Sequence, residues 1–121
     1  MTEHDFWYYL NGEKNKSAIK VMAGGISIGN DPAESTINYM TGHSLLPENY
    51  NSIPQEKIIG IGKLLFHPGI KTKTKEAILI LLAHQPTQDA LFFLSEYNKQ
   101  PDEKLRTFAM LALDECLMWN E

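Results

Sequence analysis

From residue 54 onward, apolar positions recur with a helical period, and clusters of turn residues cut them into short pieces. Leu105, Phe108, Ala109, Ala112 and Cys116 fall at i, i+3, i+4, i+7 and i+11, the spacing of one buried helical face. Ahead of them, Ala90, Leu91, Leu94 and Tyr97 form a second stripe, with Pro86 outside the helix and Thr87 as its N-cap. The break at residues 98–101 is short enough to make these two helices antiparallel neighbours, and Asp102 is the expected cap of the second. Residues 77–83 are apolar on all sides, which predicts a helix at the buried centre. Ile58, Ile61, Leu64 and Leu65 mark another buried stripe, entered through a capping Ser52 with Gln55 three residues on, and closed by His67-Pro68-Gly69. Gly60 and Gly62 lie inside that helix. Each costs about 1 kcal/mol relative to alanine, so the pair predicts a close helix crossing.

The first half of the chain is patterned less regularly. Residues 5–10 cluster Phe6, Trp7, Tyr8 and Tyr9 ahead of Asn11-Gly12, which reads as a short helix with Phe6, Tyr9 and Leu10 turned inward. A second helix is expected to end near Ala23, carrying Ala18, Ile19 and Met22. Asp31-Pro32-Ala33-Glu34 then has the form of N-cap, N1 and N3, and starts a third helix through Ile37 and Met40 to Gly42. Residues 43–53 carry turn chemistry throughout, and His43, Ser44 and Tyr50 are expected to face solvent there.

A faint internal repeat links the two halves of the C-terminal region. Ala77, Ile80 and Leu81 recur 32 residues later as Ala109, Ala112 and Leu113, a spacing suited to a helical repeat. The stretch Leu105-Arg106-Thr107-Phe108-Ala109-Met110-Leu111-Ala112-Leu113 resembles the second helix of a HEAT-type repeat. There, an apolar residue and an arginine are followed at fixed offsets by Ala, Ala and Leu. The resemblance covers residues 54–118 and is carried mainly by residues 86–118. It implies an all-α chain of about six or seven short antiparallel helices in a HEAT-like, right-handed α-solenoid fragment. Two helical hairpins would occupy residues 54–118, with N-terminal helices or a degenerate repeat over residues 1–53, all in a single domain. The function it implies is a non-catalytic protein–protein interaction module, of the adaptor, inhibitor or immunity type. The alternative is an accessory subunit of a HEAT-like enzyme such as a chromophore lyase; glycosylase-like action on DNA would need a basic concave face.

Charge and chemistry narrow this further. A formal net charge of -4 argues against such a face, and so against a nucleic-acid partner. The longest unbroken apolar run, residues 77–83, falls far short of a bilayer span, and the polar start of the chain has no leader pattern, so a cytoplasmic protein is expected. One cysteine excludes an internal disulfide. Gly25-Ile26-Ser27-Ile28-Gly29 matches the nucleophile-elbow pattern formally, but that elbow needs a strand before it and a positioned His and acid. His4, His43, His67 and His84 show no metal-ligand spacing on one helix. Cys116 lies on the apolar stripe beside Asp114 and Glu115, whose charges disfavour a thiolate. No catalytic, cofactor or metal residues are therefore expected.

Two surfaces remain as candidates for contact with another protein chain. Lys71, Lys73 and Lys75 precede the central helix, where lysines oppose the helix dipole and can mark an anion site. Met110, Leu113 and Leu117 form a second apolar line on the last helix, followed by Met118 and Trp119. That line predicts a cover: the aromatic N-terminal helix, a partner, or a second copy in a homodimer.

Overall fold

The computed structural model describes residues 1–11, 39–40, 46, 50 and 53–120. Those residues are all-helical, with no strand among them. They form α1 (Glu3–Asn11), α2 (Gln55–Leu65), α3 (Thr72–Ala83), α4 (Gln88–Lys99) and α5 (Arg106–Trp119), the last entered through a 3-10 turn at Glu103–Leu105. Tyr39 and Met40 are helical as well. The helix expected to end near Ala23, the start at Asp31, and the positions of Ser27, His43 and Ser44 lie outside the described residues.

Two of the described helix starts, those of α4 and α1, carry a local side-chain cap. Thr87 accepts a hydrogen bond from the Ala90 N–H at 3.2 Å, the N-cap its sequence predicts. At α1, Thr2 and Asp5 cap reciprocally: the Asp5 N–H donates to Thr2 Oγ1 at 3.1 Å, and the Thr2 nitrogen to Asp5 Oδ2 at 3.0 Å. The Thr2 bonds also lower the Asp5 carboxyl below its ordinary value. Two expected caps differ. Pro54, not Ser52, occupies the N-cap position of α2, and the Gln55 amide bonds Asp89 at the start of α4. Asp102 bonds no first-turn N–H; Lys75 Nζ at 2.7 Å and the Tyr97 hydroxyl take its carboxylate instead. Burial works to raise the pKa of that carboxyl, but these two donors outweigh it and hold Asp102 below the ordinary carboxylate value.

Helix α3 is the buried axis. Residues 76–85 are all buried, and it packs against α2, α4 and α5. Burying a large aliphatic side chain stabilises by about 1.5–3 kcal/mol, so this run supplies much of the core. Directions follow from the pairs of residues that meet. Gln55 reaches Asp89, and Phe66 reaches Tyr97 at 6.0 Å between ring centroids, so α2 and α4 run parallel. Lys75 meets Asp102 and His84 meets Glu115, so α3 and α5 also run parallel. Asn98 Nδ2 donates to the Ala109 carbonyl at 3.0 Å and Gln88 meets Asn120, which makes α4 and α5 antiparallel.

Gly62 permits the α2–α4 approach. A Cβ built on it would overlap the Phe93 ring, whereas one on Gly60 would meet only Met1 Cβ at 3.9 Å. The close crossing that the glycine pair predicts is therefore made by one of them. Gly69, at φ +85°, takes the left-handed conformation that the turn between α2 and α3 requires.

Helix α1 lies against α2 and α3. Phe6 is fully buried, Trp7 Nε1–H donates to Thr74 Oγ1 at 2.9 Å, and Lys57 Nζ sits 5.6 Å from the Tyr9 ring centroid.

Candidate functional site

The lysine cluster is placed at the start of α3, but an acid of the same chain reaches it first. The Glu3 carboxylate accepts from the Lys71 backbone N–H at 3.2 Å and from the Thr74 hydroxyl, occupying the position an external anion would take. Lys71 is the N-cap residue, its side chain exposed, and Lys73 is half-buried in the first turn. Lys75 is spent on Asp102. The three lysines share one end of the molecule without converging on a common point.

The second candidate surface is on α5. Leu113 is half-buried and packs on the core, whereas Met110, Leu117, Met118 and Trp119 are 46% to 62% exposed. The α1 contacts given above fall on α2 and α3, a different part of the molecule from this line. Leu113 thus belongs partly to the core, and the exposed set is Met110 and Leu117 on one flank of α5, with Met118 and Trp119 beyond them.

Beside that helix sits a polar cluster that the sequence reading did not assemble. Glu115 bridges two partners: His84 Nε2 lies 2.9 Å from its Oε2, and the Tyr39 hydroxyl donates to its Oε1. The other imidazole nitrogen, Nδ1, is 2.8 Å from the Ile80 carbonyl. Tyr39 packs edge-on against Phe108 at 5.0 Å, and burial together with the Glu115 carboxylate pushes its phenol well above the ordinary value. Tyr50, expected to face solvent, is half-buried instead; its ring meets His84 edge-on at 5.5 Å, and its carbonyl accepts from Gln85 Nε2 at 2.6 Å. His84 occupies the C-cap position of α3, and α5 supplies its partner.

No local pattern in the sequence pairs His84 with Glu115, 31 residues on; the parallel course of α3 and α5 brings them together.

Cys116 is fully buried in the same region. Its Sγ lies 3.5 Å from the Gln85 carbonyl oxygen and 3.4 Å from Asn120 Nδ2. Burial pushes the thiol up to about 11; the Asn120 bond offsets this in part and the Glu115 charge adds to it. At neutral pH it is a small packing residue that keeps its proton. Among the described residues, no group of three or more His, Cys, Asp or Glu side chains is placed to hold a metal ion.

Next to the polar cluster, Tyr39, Met40, Leu111, Asp114, Glu115 and Met118 line a mainly apolar groove of about 610 Å³. Met40 and Met118 are exposed along it, and Asp114 stands on its rim. The arrangement has an apolar floor, an acidic edge and a polar network that fixes Tyr39 against α5. It is suited to holding another surface. Among the described residues no helix is long and apolar enough to cross a membrane.

Comparison with known proteins gives no match to a family model and no significant match to a curated protein or a solved structure.

Proposed function

We propose that this chain is a protein–protein interaction module of the cytoplasm, built as a HEAT-like stack of two helical hairpins, α2–α3 and α4–α5. Two features support the stack. The first helices of the hairpins run parallel to each other, as do the second helices. Helix starts also recur after 33 residues between α2 and α4, and after 34 between α3 and α5. These intervals agree with the repeat of about 32 visible in the apolar pattern.

The observation that carries the function is the exposed side of α5. Met110 and Leu117 on one flank, Met118 further round and Trp119 at the helix end put four large apolar side chains in water on a helix whose other face already serves the core. Large apolar side chains exposed together on one element mark contact sites, and aromatic and methionine side chains are enriched in the centres of such contacts. The partner is another protein chain.

The test compares retention of proteins from a lysate by the wild-type chain and by a Met110→Glu/Leu117→Glu variant. Both positions are exposed, so the variant is expected to melt within a few degrees of wild type. A partner held by the wild type and lost by the variant supports the reading. Equal retention by both, or a loss that accompanies unfolding, counts against it.

A further inference from the structure

The groove beside α5 has a more specific chemistry than its apolar lining alone. Helices α3 and α5 run parallel, so their C-terminal carbonyl ends lie at the same end of the molecule, and neither has a basic residue in its last turn. The sequence has no lysine or arginine from residue 76 to 98, and none after Arg106. Among the described residues there are eight basic side chains; seven, Lys63 through Lys75 and Lys99 through Arg106, gather at the opposite end, and the eighth, Lys57, stands near the start of α2. Asp114 is exposed on the groove rim and carries no salt bridge among the described residues.

We propose that this groove is the docking site for an amphipathic helix of a partner protein, bearing lysine or arginine beside its apolar stripe. The proposal rests on the interaction-module reading and names the partner's chemistry. Along α5, Leu111, Asp114 with Glu115, and Met118 stand at i, i+3/i+4 and i+7, a ridge of two helical turns, about 10 Å long. That is the length over which a partner helix presents its own i, i+3/i+4 and i+7 anchors. Met40 and Met118 offer unbranched, polarisable side chains that adapt to such anchors. The exposed Asp114 carboxylate on the rim selects a cation on the flank of the stripe.

The chain's own methionines report on this. A synthetic amphipathic peptide of about 20 residues, long enough to hold helix when bound, carries a leucine stripe flanked by lysines; a matched peptide has glutamate in place of lysine. Each is titrated onto the full chain labelled at its methionine methyl groups, with signals assigned by Met→Leu replacements. The lysine peptide is expected to move the Met40 and Met118 signals and leave Met110 in place. Its affinity is expected to fall at least fivefold as ionic strength rises from about 0.01 to about 0.15 M, where the screening length shrinks from about 30 to about 8 Å. Asp114→Asn is expected to weaken it by roughly two- to fivefold, the scale of an exposed ion pair.

Failure of the lysine peptide to move Met40 and Met118 overturns the proposal. So does equal binding of the glutamate peptide, or an Asp114→Asn variant that binds like wild type. If raising the protein concentration alone moves the same signals, a second copy is the occupant, and the proposal fails in that form. Movement of Met110 alone would sink the groove while leaving the interaction-module reading intact; that reading has its own test in the Met110→Glu/Leu117→Glu comparison.

Discussion

Glu76 shows most sharply how a single residue sets conditions on this fold. It is buried in the middle of α3, and its Oε1 has no hydrogen-bond partner. Burial pushes its carboxyl up to about 8, against 4.5 for the free group. The folded state therefore holds this proton more tightly than the unfolded chain. Its contribution to stability is fully present below pH 4.5, falls as pH rises, and is gone above about pH 8. Glu76→Gln is expected to remove that slope and to stabilise the protein on the alkaline side by an amount on the order of a few kcal/mol. Melting temperatures of the two proteins from pH 5 to pH 9 check it: the gap should widen with pH, and a constant gap would contradict the assignment. Cys116 gives a second expectation at this scale. With its thiol buried and held near 11, alkylation at pH 8 should be slow in the native protein and complete in denaturant. Fast native labelling would mean that the end of α5 opens readily.

Among the elements, the α2–α4 crossing is the most exposed to mutation. Gly62→Ala forces the Phe93 ring to move, so it is expected to destabilise by about 1–3 kcal/mol, the usual scale of overpacking. Gly60→Ala meets an ordinary contact and gains helix propensity, so it should stabilise by up to about 1 kcal/mol. Opposite signs two residues apart are the check, read from denaturant midpoints. Both glycines look alike in the sequence, and only the helix that lies on them tells them apart. The same holds for the caps. Thr87 was legible because its cap bond is local, three residues along the chain. Asp102 was not, because Lys75, 27 residues away, and Tyr97 compete for its carboxylate. The central position of α3 was legible because a run of apolar residues without a polar side has nowhere else to go.

Across the whole molecule, what could be read was the helical class and the apolar stripes; what could not was every contact between groups far apart in sequence. The Tyr39–Glu115–His84 cluster joins residues 31 and 76 positions apart, and no local pattern announces it. The turn chemistry around Tyr50 favours solvent, yet its ring meets His84. The lysines before α3 suggested an anion site; there the Glu3 carboxylate of the same chain accepts from the Lys71 backbone N–H, and Lys75 meets Asp102. On α5 the sequence singled out Met110, Leu113 and Leu117 as one line; packing takes Leu113 into the edge of the core and leaves Met110 and Leu117 outside, joined by Met118 and Trp119. That division puts the proposed contact surface on the outer flank and end of α5, away from the basic end where α2 turns into α3.

A photoreactive side chain placed at Leu117, with a control at the exposed Lys63 of the basic end, tests this account most directly when the chain is irradiated in the cell. A discrete crosslinked species is expected from position 117, of the combined mass of this chain and one other protein, and none of that mass from position 63. No adduct from position 117, or the same adducts from both positions, would contradict it.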